Sequence, residues 1–474
     1  VTFVGAPTRL AAQGFGKPVL RKEDARLLTG QGRFSDDINL PNQAYAVMVR
    51  SPHAHARIRA IDAHDALASP SVLTVLTGAD AVRDRLQPLP HKPIPTNPHE
   101  VPLRNRDGRD IFVAPHWPLA HNRARFVGEA VAMVIATSVA AAKDAAERVA
   151  VDYEPLPAIA ATRDAPAPTA PRVHEAHDSN VCVASHCGDE VATAAAFARA
   201  AHVVQLDTWV QRVTGVPLEP RAAVAVFDDV AQRYTLYAGS GGNIRHRADL
   251  AGVLGVAESA VRVIAYDTGG NFGTRNSFYP EFALVAWAAK RIGRPVKWTC
   301  ERQEALLTDY QGRDLVSQLE LALDEQGQFL ALRGLNTSNV GAASVSFIPL
   351  AKGVELSTTV YAIPHASMRG RAVLSNTAPT TPYRSAGRPE VMFAMERLID
   401  IAARRGGFDR LELRRRNLIA AESMPYRNAL GMLYDSGDYR GAQARAVELA
   451  DWAGFAARRR EARARGRLRG IGIA

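Results

Sequence analysis

The sequence is poor in cysteine, with Cys182, Cys187 and Cys300 the only three among 474 residues. Three cysteines cannot build a disulfide framework. Cys182 and Cys187 stand five apart, but no second pair completes a zinc ligand set. A reducing compartment, the cytoplasm, is the simplest expectation. Long apolar runs are also missing. Nothing approaches the ~18 residues of a membrane-spanning helix, and the opening VTFVGAPTRLAAQG lacks the apolar core of a signal peptide. No membrane span is therefore expected. A nucleic-acid signature is absent as well. The net charge is +10, from 58 Lys and Arg against 48 Asp and Glu, and much of the excess lies in Arg458, Arg459, Arg460, Arg463, Arg465, Arg467 and Arg469. No aromatic interleaves those arginines, so they read as a solvated helix face and nucleic acid is not expected as a partner.

What is present is apolar residue, 47% of the chain, enough for a large core in two or more domains. After a polar, turn-rich opening to about residue 42, short strands are expected at 44–49, 56–61 and 72–76, then a proline-rich, charged surface loop over 87–115. AVAMVI at 130–135 reads as a strand covered on both faces. Ser138 caps an alanine-rich helix to Val149, and Val151, Asp152 and Tyr153 close the first unit. Five prolines among small residues at 155–171 mark an interdomain linker.

The second unit opens with a helix capped by Asp189, then strands near 203–213, 222–227 and 234–239. The last ends in Ser240-Gly241-Gly242-Asn243, before a helix to about Leu254. Val296, Trp298 and Cys300 alternate with Lys297 and Thr299, and 315–323 with 329–336 flank the hairpin signal Glu325-Gln326-Gly327. Val391, Ala394, Met395, Leu398 and Ala402 recur at helical spacing between Pro389 and Gly406-Gly407, a core stripe followed by an Asp409/Glu412 capping box. A last helix is expected at 439–463. The closing Gly470-Ile471-Gly472-Ile473-Ala474 reads as the start of an apolar strand and the chain begins on Val1, so either a fragment or a second polypeptide that finishes the sheet is expected.

The most informative stretch is VRVIAYDTGGNFG at 261–273. Alternation from Val261 to Tyr266 suggests a short strand that runs into Gly269-Gly270-Asn271-Phe272-Gly273. A helix follows, with Pro280 at its first position, Glu281 near its positive end and Gly293 closing it. Strand, glycine turn, helix is a layout that presents backbone N–H groups to an anionic or polar ligand. Alone, the pentad is equally a tight connection.

Seven stretches taken in order resemble the large, molybdenum-cofactor-binding subunit of the xanthine dehydrogenase and aldehyde oxidase family. They are SPHAHARI (51–58), RFVGEAVAMVIA (125–136), VDYEPLP (151–157), PLEPRAAV (217–224), DTGGNFG (267–273), SNTAPTTPYRSAGRPE (375–390) and ELRRRNL (412–418). The resemblance implies an α+β protein. A hammerhead-like α/β domain would span 1–154 and the Pro/Ala-rich linker 155–172. The first molybdopterin-binding α+β domain would span 173–433, and 434–474 would begin a second, incomplete one. In this family the active site lies between the two cofactor domains. The glutamate base belongs to the second, so no catalytic residue is expected within this chain. The cofactor is molybdenum–molybdopterin, in its cytosine dinucleotide form, and the reaction hydroxylates an electron-poor carbon with oxygen from water. Electrons leave through 2Fe-2S and FAD centres, expected here on an iron–sulfur subunit and an FAD subunit. The remaining partners are the C-terminal half of the large subunit and a small-molecule substrate.

Carried over by motif, Gly269, Gly270, Asn271, Phe272 and Gly273 lie against the pterin and the metal's oxo ligand, with Gly241 and Gly242 in the neighbouring turn. Arg384 supplies charge beside the cofactor as a buried arginine, the alternative being a salt bridge to a carboxylate. Ser385 and Ala386 line the substrate pocket, and no side chain ligates the metal directly. Two departures stand out. Gly241 occupies the position of a common glutamine. Asn271 replaces a glycine, and Asn276 stands where purine-oxidising members hold a glutamate. An amide cannot accept a proton as a carboxylate does, so an aldehyde, N-heterocycle or other small aromatic is expected before a purine. Lys352 falls near a substrate-contacting arginine of those members. The alternative is a non-catalytic scaffold or cofactor-loading member of the same fold.

Overall fold

Apolar strands of both units pair into one sheet. The computed structural model describes residues 19–474. Seven strands run in the order Val261–Ile264, Arg233–Ala238, Ala222–Asp228, Val296–Thr299, Ala44–Arg50, Ala130–Ala136 and Val72–Thr77. Ala44 lies beside Val296 and Tyr45 beside Lys297 in parallel, so this sheet crosses the expected linker. Ala130–Ala136 is buried at every position, as its unbroken apolar run requires. The helix Pro280–Ile292 packs on Ala222–Asp228 and is buried from Glu281 to Ala289, because FALVAWAA is apolar on all sides.

A second, five-stranded sheet runs Val181–Gly188, His365–Leu374, Phe329–Gly341, Gln311–Leu323 and His202–Thr214. The helix Arg388–Gly406 packs on it with Val391, Ala394, Met395, Leu398 and Ala402 all buried. Three short strands, Arg123–Ala124, Ala56–Asp62 and Ala150–Pro155, complete the N-terminal unit. Ser138 and Asp189 cap their helices as expected, each accepting one N–H from the first turn. Among the described residues no helix is long and apolar enough to cross a membrane.

Several expectations need correction. The turn-rich opening holds a short helix, Asp24–Leu28, and a 3₁₀ turn, Ser35–Asp37; its residues 1–18 lie outside those described. The stretch 87–115 holds no helix or strand and is largely exposed, as expected of a surface loop, but it is pinned down where Leu89, His91, Leu103 and Ala114 are buried, the last two in the core of the second unit. The proline-rich linker is not a free spacer. It straps the second unit: Thr162 Oγ1 donates to Asp314 (2.5 Å), and Ile159 and Asn376 exchange two hydrogen bonds. Lys297 breaks its strand's alternation because its ammonium is buried against Asp36 O (2.6 Å) and Asn39 Oδ1 (3.0 Å).

Asp409 caps the next helix, but Glu412 turns to Arg415 instead of completing the box. The last helix divides into Tyr439–Leu449 and Phe455–Ala464, interrupted where Asp451 takes φ +44° and accepts from Gly454 N–H (3.1 Å). The final GIGIA forms no strand.

Glu129, in the stretch RFVGEAVAMVIA, makes a testable case. Burial raises its carboxyl to about 7, with the Arg125 side chain and N–H pulling weakly the other way. A raised acid pKa favours the protonated fold. Its contribution is complete below ~4.5 and is lost as pH rises through about 7. Glu129→Gln, always neutral, should therefore match the wild type at pH 5 and exceed it at pH 8 by on the order of 1–2 kcal/mol in denaturant unfolding. Equal differences at both pH values would contradict this.

Candidate functional site

The strands Arg233–Ala238 and Val261–Ile264 are adjacent and parallel, Tyr234 beside Val261 through Tyr237 beside Ile264. Parallel neighbours end on the same side. The turns 240–243 and 269–273 therefore emerge together at the carboxyl edge, where open α/β sheets bind ligands. Gly270 and Gly273 take φ +120° and +96°, and Phe272 takes +52°. A Cβ on Gly273 would run into the Pro382 carbonyl, and one on Gly269 into the Glu219 side chain. These glycines are set by close approach of backbone. Gly242 differs: it is extended and faces open space, so nothing around it requires glycine. Among the described residues the N–H groups of Gly270, Asn271 and Phe272 find no acceptor. Three unpaired donors in a row on a left-handed turn form an anion-seeking concavity.

Gly241, Asn271 and Asn276 meet one another. The Asn271 Nδ2 donates to Asn276 Oδ1 (2.9 Å), and a Cβ on Gly241 would overlap both amides. The three residues that depart from the family pattern thus meet in one contact.

The segment 384–387 reaches the glycine turn from the second sheet. Arg384 N–H donates to Phe272 O (3.0 Å), and its guanidinium lies 5.4 Å from the Phe272 ring centroid. Arg384 is exposed, not buried as expected, and forms no ion pair with a carboxylate among the described residues. Arg384, Ser385, Ala386 and Gly387 all have positive φ, +27°, +68°, +40° and +84°. Three such non-glycine residues in a row cost roughly 1–2 kcal/mol each, and persist only where the surroundings over-determine them. Arg313 does so: it donates to Tyr383 O (3.0 Å), Arg384 O (2.8 Å) and Glu390 (3.0 Å). Ser385 is exposed beside Arg384, while Ala386 is buried. Lys352 lies behind this turn. It is 4% exposed and its ammonium is shared by Glu355 and Glu100, so the substrate contact expected of it is replaced by a buried ion pair.

Sequence reading missed the braces. Glu219 accepts from Gly269 N–H (2.7 Å), Ser35 N–H (3.2 Å) and Arg275 (2.7 Å), while Arg275 also donates to Glu219 O. Asp267 accepts two hydrogen bonds from the Arg26 guanidinium and one from Arg33 N–H, which holds its carboxyl well below the usual range. Beneath the turn Arg221 joins Glu281 (2.6 Å) and Asp309 (2.7 Å), and Arg50 reaches the same Glu281 (2.8 Å). Glu219 and Arg221 lie within the quoted PLEPRAAV stretch. A run of charges beside prolines entering an apolar strand was the available signal.

Together the turns offer N–H donors, an aromatic face and an exposed guanidinium, with the adjacent carboxylates Glu219 and Asp267 already bound to arginines. Such a set suits a flat ligand rich in oxygen acceptors and negative charge, and so fits a phosphate-bearing pterin. Among the described residues no group of three His, Cys, Asp or Glu side chains converges for a metal.

Comparison with known proteins matches two family models to the chain. The molybdopterin cofactor-binding domain matches residues 173–418, and the a/b hammerhead domain of aldehyde oxidase and xanthine dehydrogenase matches 29–157. Subunit gamma of the 6-hydroxypseudooxynicotine dehydrogenase complex of Paenarthrobacter nicotinovorans is 34% identical over 97% of this chain and 57% of its own length. The carbon monoxide dehydrogenase large chain of Hydrogenophaga pseudoflava is 33% identical over 96% and 56%. The crystal structure of quinoline 2-oxidoreductase from Pseudomonas putida 86 superposes with a TM-score of 0.87, at 34% identity, over 95% of this chain and 56% of that one. The chain spans about half the length of the curated relatives it matches.

Proposed function

The chain belongs to the molybdopterin-cofactor-binding large-subunit family of the xanthine dehydrogenases and aldehyde oxidases, and from that premise we propose that it carries one wall of a hydroxylase active site. The reading rests on the three unpaired N–H groups at 270–272 beside Phe272 and Arg384. These donors hold the oxygens of the cofactor, the Phe272 ring closes one side, and Arg384 balances negative charge. When bound, the molybdenum–molybdopterin group, in its cytosine dinucleotide form, supplies hydroxylation of an electron-poor carbon with oxygen from water. The substrate is an aldehyde or an N-heterocycle or other small aromatic; a relative named for quinoline supports the heterocycle. Gly269 and Gly273 allow the close backbone approach that shapes the cradle, Gly241 and Gly242 border it, and Ser385 and Ala386 border the substrate. The general base comes from the rest of the large subunit. Electrons pass to 2Fe-2S and FAD subunits of a cytoplasmic complex.

The test is metal and pterin content of the chain produced with the rest of its subunit and its redox partners. About one molybdenum per large subunit is expected. A Cβ on Gly270 would press on Phe272 and Pro217 at 3.0 Å with φ at +120°, so Gly270→Val should lower molybdenum content about tenfold or more. An assembled wild-type complex without molybdenum would reject the reading and leave the non-catalytic scaffold in its place.

A further inference from the structure

The two faces of the five-stranded sheet differ. Alternation places Leu319, Leu321, Leu332 and Met368 in the core beneath the helix Arg388–Gly406. The residues between them point the other way. On that side the helix Glu190–Ala198 covers part of the sheet, with Ala196 packed on Ala322 and Ala331. Beside this helix lies a cavity of about 640 Å³, floored by Gln205, Asp207, Gln318, Glu320, Arg333 and Arg369. Its volume is in the range of small-molecule sites.

The charges around it do not balance. Every carboxylate is engaged: Glu320 pairs with Arg333 (2.6 Å), Glu190 with Arg106 (2.8 Å), and Asp207 with Arg163. Arg333 is further fixed over the Phe197 ring, 4.0 Å from its centroid. Arg369 and Arg371 are left over, two residues apart on the strand His365–Leu374 and therefore on one face. Neither guanidinium meets a carboxylate among the described residues. Arg369 is exposed and Arg371 half-buried, and burial together with the Arg369 charge lowers the Arg371 pKa from its usual value. Like charges held side by side without a counter-ion carry a cost that a bound anion removes. His186, opposite Arg369 on the edge strand, is turned to Ser367 Oγ (3.0 Å). Thr193, 1% exposed, also lines the cavity, and its hydroxyl has no partner among the described residues. A ligand oxygen would supply one.

We infer that this cavity is a binding site for a small molecule carrying a phosphate monoester, which Arg369 and Arg371 hold. Two unmatched positive charges equal one phosphate dianion, whereas a carboxylate balances only one. The planar fork of each guanidinium suits phosphate oxygens. The site lies on the opposite face of the sheet from the helix that follows the 384–387 turn, and the inference does not rest on the cofactor reading.

Calorimetric titration of the assembled complex tests this, in mildly alkaline buffer where a monoester is close to a dianion. Phenyl phosphate should bind saturably. Benzoate, with the same ring and one charge, should bind about tenfold more weakly or worse. Inorganic phosphate should also bind more weakly, because it leaves most of the cavity empty. Arg369→Gln, at an exposed position, should weaken phenyl phosphate about tenfold, the loss of one charge-assisted contact, and Arg369→Lys should recover part of it. Arg384→Gln, in the cofactor wall, should leave this affinity unchanged, and Arg369→Gln should leave molybdenum content unchanged. Phenyl phosphate affinity that ignores both Arg369→Gln and Arg371→Gln, or that falls with Arg384→Gln instead, would overturn the inference. So would benzoate or inorganic phosphate bound as tightly as phenyl phosphate.

Discussion

Arg221→Met is expected to destabilise the protein by about 3–5 kcal/mol, the largest effect of any single surface-sparing substitution proposed for it. The guanidinium is 1% exposed and fully engaged: Nε to Asp309 (2.7 Å), Nη1 to Glu281 (2.6 Å) and Nη2 to Thr308 (2.6 Å). Its plane lies 4.0 Å from the Tyr279 ring centroid and 5.1 Å from that of Trp298. Methionine restores much of the volume but leaves buried Glu281 with Arg50 alone and buried Asp309 without its ion pair, and that uncompensated charge is the main cost. Arg221→Met with Glu281→Gln and Asp309→Asn should recover a large part of the loss. A triple variant no better than the single one would show that packing against the rings dominates. The acid limb gives a second measurement. Burial alone would raise Glu281, but Arg221 and Arg50 more than offset it and hold the carboxyl at about 2. A depressed acid pKa stabilises the fold above ~4.5, and the contribution fades as pH falls toward 2. In Arg221→Met that acid-side loss should begin at higher pH.

Gly273→Ala should come next, at roughly 2–5 kcal/mol from left-handed strain together with overpacking. At φ +96° the new methyl would meet the Pro382 carbonyl, which two residues later leads into the left-handed turn at Arg384. The bond from Arg384 N–H to Phe272 O would be the first broken, separating the two halves of the cofactor wall. Molybdenum content should fall about tenfold or more, well beyond the stability loss in its consequences for function. Gly293→Ala is the control. It sits at φ +63° at a helix end with open space around it, and should cost ~1 kcal/mol without touching metal content. Equal metal loss in both variants would mean that general instability, not the Gly273–Pro382 approach, governs loading.

The local layout of the site was legible in sequence because it obeys local rules. Pro280, Glu281 and Gly293 delimit their helix, and the strand before Gly269 follows from alternation. Arg384 and the asparagines were named from motif position alone. What local pattern hides is pairing at long range. Arg313, Arg275 and Glu219 carry no local signal of their role, yet each is a brace whose partner lies tens of residues away or more. Lys352 shows the converse error. A lysine near the pocket invited a substrate role, but Glu355 one helical turn on and Glu100 from a distant loop had already claimed its ammonium. The 87–115 loop shows the same limit in milder form: prolines and charges rightly suggested solvent, while the few widely spaced residues that anchor it gave no local signal.

The parallel seam between Ala44–Arg50 and Val296–Thr299 also bears on biosynthesis. The ribosome releases the first of these strands roughly 250 residues before the second, a delay on the order of ten to fifty seconds at ~5–20 residues per second. Throughout that interval the nascent sheet carries an open apolar flank that its own chain cannot yet cover. Chaperone dependence during translation, and misassembly when elongation is slowed after residue 136, follow from that order of events.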